Sequence, residues 1–141
     1  MRTHNQKKEG NRKIAEFMGG SLLGTETYEM PHGSRSEVEI ENWSGIAEVP
    51  SGQYDMAKIG IFSYDSSWSW LWPVIDKIES LGFNFVISRR GIQVTKWRAR
   101  GRFEATDLII DEDFLDDYTG AAKLTASWDC VVSFISWYSK Q

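Results

Sequence analysis

Cysteine and histidine are scarce in this chain, and each scarcity excludes something. One cysteine, Cys130, stands among 141 residues, so no internal disulfide can form. A lone thiol fits a reducing compartment, and a cytoplasmic protein is expected. Two histidines, His4 and His32, cannot with one cysteine make a usual zinc set. Neither lies in a segment that reads as ordered, so a Ser-His-Asp or Cys-His catalytic site is not expected. The first thirteen residues lack an apolar core, which argues against a signal peptide, and no apolar run is long enough to span a bilayer. No phosphate-cradling G-x-x-x-x-G-K-[ST] or dinucleotide G-x-G-x-x-G occurs, and no cofactor is expected.

Aromatic residues are abundant instead. They make up 13% of the chain and include seven tryptophans, three of them (Trp68, Trp70, Trp72) within five residues. A small core gains much buried area from indoles, and interaction surfaces use them too. The length fits one domain. Residues 1–10 are polar and read as a disordered start, leaving a single α+β domain over 11–141.

Along the chain, Asn11 reads as the cap of a short helix carrying Ile14, Phe17 and Met18, stopped by Gly19 and Gly20. Residues 21–55 hold Gly24, Pro31, Gly33, Gly45, Pro50 and Gly52, and read as a long irregular segment with short extended pieces near 37–41 and 45–49. Met56 to Tyr64 alternates like a strand, with Ile59 and Ile61 on one face. Next comes a helix in which Trp68, Leu71, Trp72, Ile75, Ile78 and Leu81 draw an apolar stripe, closed by Gly82. Pro73 lies inside it and removes one backbone hydrogen bond. Phe83–Ser88 and Ile92–Trp97 flank Arg89-Arg90-Gly91 as a hairpin. Residues 102–110 suggest a third strand, and 111–120 an acidic loop. A final helix over 121–139 aligns Leu124, Trp128, Val131, Val132, Ile135 and Tyr138. The expected fold is a small antiparallel or mixed sheet (strand, hairpin, third strand) packed by two main helices, with a short N-terminal helix.

Charge supplies the strongest binding signal. Arg89, Arg90, Lys96, Arg98, Arg100 and Arg102 form a run with no acid, interleaved with Trp97. If extended, Lys96, Arg98, Arg100 and Arg102 share one face, where guanidinium groups pair phosphates and an indole stacks on a base. A strand edge guarded by positive charge against aggregation is the structural alternative. Ser66 and Ser67, at the start of the tryptophan helix, are second candidates for anion contact, with plain helix capping as the alternative. The run from Glu104 to Asp117 carries seven acids and no base. Its 111–117 stretch could serve a metal-dependent enzyme acting on nucleotides or nucleic acid, though it lacks the spacing of a calcium-binding loop.

Three segments, NRKIAEFMG, SSWSWLWPVIDKIESLG and VVSFISWY, resemble in this order a family of small uncharacterised bacteriophage and prophage proteins. The family's middle motif reads H-S-S-W-D-W-L-M-P-V-V-E-K-I-E-S-L-G. This chain departs from it at Asp65, Ser69 and Trp72, where the family shows His, Asp and Met. The resemblance spans the framework but not residues 21–55 or 98–120. It implies a phage accessory protein of the host cytoplasm that acts by binding, without catalysis. The implied partner is a host defence protein or a phosphorylated small molecule. Nucleic acid is less favoured, no membrane is implied, and self-association through exposed tryptophans stays open.

Overall fold

The computed structural model describes residues 3–29, 37–88, 91–97, 106–113 and 120–141. Nine elements follow in order among them: α1 (His4–Phe17), β1 (Ser21–Glu29), β2 (Glu37–Ser44), α2 (Tyr54–Lys58), α3 (Trp68–Ser80), β3 (Phe83–Ile87), β4 (Gly91–Trp97), β5 (Thr106–Asp113) and α4 (Gly120–Tyr138). The class is α+β. β3, β4 and β5 form an antiparallel sheet in that order, and β1 pairs with β2 in a separate antiparallel hairpin.

The hairpin of β3 and β4 matches the expectation. Ile87 pairs with Ile92 and Phe85 with Val94, and Phe83, Phe85, Ile92 and Val94 are all buried. Ser88 closes the turn by donating its backbone N–H to the Gly91 carbonyl at 2.8 Å. The third strand runs over 106–113, a few residues later than expected. It therefore takes in Asp111, Glu112 and Asp113, and residues 114–119 of the expected acidic loop lie outside the described residues.

α4 is the central beam. It packs against α1, α3, β4 and β5, while α3 covers β3. Ser127, Trp128, Cys130, Val131, Phe134 and Ile135 are its buried residues. Phe134 lies 4.9 Å from the Phe83 ring and 6.3 Å from that of Phe17, centroid to centroid, both edge-on. Edge-to-face pairs at such separations add to the burial term.

α3 departs from its expected stripe. Trp70, Leu71, Val74, Ile75 and Ile78 face the core, and Trp72 is 47% exposed. The buried arc is rotated toward Trp70, which meets Tyr64 edge-on at 5.1 Å. Trp68 and Trp72 instead stack on each other at 5.1 Å. Gly82, at φ +97, takes the left-handed position after the helix as expected.

Three further expectations are corrected. α1 begins at His4, not after Asn11, so most of the supposed disordered start is helical. Thr3 and Gln6 form a capping box, each side chain bonding the other's backbone N–H. Gly10 lets this helix approach α4, because a Cβ there would lie 2.3 Å from the Trp128 ring. The 21–55 segment is not irregular throughout, since β1 and β2 occupy much of it. Finally, 56–64 is not a strand. Tyr54–Lys58 forms one helical turn, ended by Gly60 at φ +87. The Gly60 N–H bonds the Ala57 carbonyl and the Ile61 N–H bonds the Met56 carbonyl, the double bond pattern of a helix stop.

Candidate functional site

The site lies where α1, β2 and the stretch after α2 meet. α1 buries Asn11, Ile14 and Ala15. The same side, continued toward the start of the helix, carries His4, Lys7 and Lys8, which with Asn11 follow the i, i+3, i+4, i+7 spacing of one helical stripe. This stripe lines a cleft of about 430 Å³ with Glu39 and Glu41 of β2 and residues 59–62, 65 and 66. Small-molecule sites typically occupy roughly 300–1,000 Å³.

Two buried polar groups hold the cleft open in one shape. Asn11 is the first. Its amide nitrogen donates to the Phe62 carbonyl at 3.3 Å and to Asp65 Oδ1 at 2.8 Å. Its amide oxygen accepts from Trp128 Nε1 at 2.8 Å. Both amide hydrogens and one acceptor site are thus used, and one side chain joins α1 to the loop and to α4. Glu41, 3% exposed, is the second. It accepts from the Arg12 guanidinium and from Trp43 Nε1 at 2.9 Å, and Lys8 Nζ stands 4.0 Å away. A buried carboxylate is tolerated only when paired and hydrogen-bonded in this way.

Gly60 completes the floor. A Cβ at this position would fall 2.5 Å from Glu41 Oε1, so the backbone can lie on the carboxylate only because no side chain intervenes. Beside it, Ile59 and Ile61 form an apolar wall and are 37% and 46% exposed. Tyr64, against Phe62 and Trp70, is buried, and burial pushes its phenol up to about 12.

The candidates drawn from sequence fall differently. Arg89, Arg90, Arg98, Arg100 and Arg102 lie outside the described residues. Lys96 and Trp97 close β4, paired with Asp107 and Thr106 of β5. Lys96 is exposed, with its ammonium 5.8 Å from the centre of the Phe83 ring. Ser67 occupies the N-cap of α3 but makes no side-chain cap bond, and Ser66 reaches the cleft edge. The cleft residues His4, Lys7, Lys8, Asn11, Glu41 and Asp65 were not singled out for binding. The signal for them was the Thr3-x-x-Gln6 capping box, which starts the helix early enough to align the stripe.

A second depression of about 570 Å³ lies between the ends of α1 and α4, with Lys13, Phe17, Tyr138 and Lys140 among its lining. It has no comparable buried polar network among the described residues. Also among them, no group of three or more His, Cys, Asp or Glu is placed to hold a metal ion, and no helix is long and apolar enough to cross a membrane. Comparison with family models, curated proteins and solved structures found no match.

Proposed function

We propose that this chain is a phage or prophage accessory protein that works in the bacterial cytoplasm by binding, and that its ligand is a small phosphorylated molecule held in the cleft along α1. Inhibition of a host defence that uses such a molecule as its signal is the role this reading favours. The observation that carries the binding site is the stripe of His4, Lys7 and Lys8 over one preformed cleft. Ammonium groups are strong phosphate partners, and an imidazole N–H donates in either charge state. Arg12 is committed to Glu41 and Lys8 stands 4.0 Å from the same carboxylate, and the exposed ammonium groups of Lys7 and Lys8 are the ones turned to an incoming anion. The network around Asn11 and Glu41 holds the walls before any ligand arrives, so little ordering cost is left for binding.

Isothermal titration with ribose 5-phosphate and adenosine 5′-monophosphate tests this reading. The double variant Lys7→Ala/Lys8→Ala should bind at least tenfold more weakly, with its melting temperature nearly unchanged, because both lysines are exposed. Equal affinity in the variant, or no binding of either phosphate ester by the natural chain, would remove the cleft from consideration.

A further inference from the structure

The cleft has two chemically different ends, and their separation carries information about the ligand. His4, Lys7 and Lys8 stand at the start of the α1 stripe, and Asn11 stands at its far end. Seven residues of helix separate His4 from Asn11, a rise of about 10 Å. At the far end Asn11 holds Asp65 by one carboxylate oxygen, Oδ1. Among the described residues no donor is seen on the other oxygen. Asp65 is half-buried and faces the cleft, so that oxygen is an acceptor for a ligand N–H or O–H. Ile59 and Ile61, exposed and aliphatic, also line the cleft, where a flat apolar face can rest.

An end with two ammonium groups beside the Arg12-paired Glu41, an apolar wall and a carboxylate acceptor about one nucleotide's length away form an ordered set of demands. A phosphate alone satisfies the first. A sugar phosphate satisfies the first and leaves the wall bare. A nucleotide whose base bears an amino group satisfies all three. Building on the phosphate-binding reading above, we infer that the cleft takes a nucleoside monophosphate, with its phosphate on His4, Lys7 and Lys8, its base against Ile59 and Ile61, and its amino group donating to Asp65. Asp65 then selects the base, because a site built to accept a hydrogen bond discriminates against a ligand that lacks the donor.

The test is a titration series with three probes and two variants of the full chain. Adenosine 5′-monophosphate should bind at least tenfold more tightly than ribose 5-phosphate, and purine riboside 5′-monophosphate, whose base has neither the amino group nor a ring N–H on its six-membered ring, should fall between them. Asp65→Asn keeps an oxygen for Asn11 but presents an amide to the ligand. It should remove the preference for the adenine compound over the purine riboside one without weakening ribose 5-phosphate binding. Ile61→Ala should weaken both nucleotides and spare the sugar phosphate. Equal binding of all three probes to the natural chain would overturn the nucleotide assignment and leave the phosphate site standing. An adenine preference that survives Asp65→Asn would overturn the assigned role of Asp65. Failure of every phosphate ester to bind would overturn both readings.

Discussion

One apolar cluster runs through this whole molecule, but two regions of it are specified by different physics. On one side, α3, α4 and the three-stranded sheet share an apolar interior in which Phe83, Val94, Val131 and Phe134 are buried. On the other, α1, β2 and the 59–66 stretch are joined through an amide and a carboxylate, Asn11 and Glu41, each buried and each satisfied. Apolar packing tolerates many arrangements of similar volume, whereas a buried polar group tolerates few. The polar half is therefore where the geometry is most closely specified, and the cleft lies there.

The largest effect should come from breaking the apolar half. Phe134→Ala removes a fully buried ring from a cluster with Phe17, Phe83 and Tyr138, and should cost about 4 kcal/mol in urea unfolding. Arg12→Ala breaks the polar half and leaves Glu41 only Trp43 Nε1 and the more distant Lys8, with a loss of about 2 kcal/mol. The two halves should then diverge. Replacing both partners, as Arg12→Met/Glu41→Gln, should recover much of that loss, because the neutral amide needs no counter-charge and its oxygen still accepts from Trp43 Nε1. Additive losses in the double variant would mean that the two residues are not coupled as described.

A third prediction concerns Tyr64, which stands between the halves and touches Trp70 and Phe62. Its phenol is pushed up to about 12 from an ordinary value of 10.0. Below pH 10 the phenol is neutral in both folded and unfolded chains, and its contribution to stability is full. Between about pH 10 and 12 the unfolded chain gives up the proton and the folded one retains it, so stability falls, by about 3 kcal/mol in all. Tyr64→Phe should flatten this part of the stability profile. The smallest effect is a gain. Glu48 sits at φ 57, a left-handed conformation costly for a residue with a Cβ, and Glu48→Gly should add about 0.5–1 kcal/mol.

The same contrast explains what could be read from the sequence. α3, α4, β3 and β4 were legible because burial writes a period of 3.6 or 2 into the chain. Even there Trp72 misled, since its spacing fits the stripe while its side chain stacks outward on Trp68. β1 was illegible because residues 23–27 are exposed, and a strand without a buried face shows no alternation. Ile59 and Ile61 imitated a strand, although the glycine between them stops a helical turn. The cleft draws on residues 4–11, 39–41 and 59–66, and only long-range packing brings them together. Asn11 shows the difficulty most clearly. As a sequence letter it is a cap, but in the fold it links α1 to Asp65, Phe62 and Trp128. The basic run stands out by charge density, which any residue count reveals, whereas a satisfied buried amide leaves no mark on composition.

The most direct test is a titration of the ¹⁵N-labelled chain with adenosine 5′-monophosphate, followed by amide and indole resonances. The cleft account predicts saturable shifts at residues 4–11 and 59–66 and at the Trp128 indole, which reports on Asn11, with residues 91–97 still. Shifts confined to 91–97, with 4–11 and 59–66 silent, would contradict it and assign the ligand to the basic run beside β4.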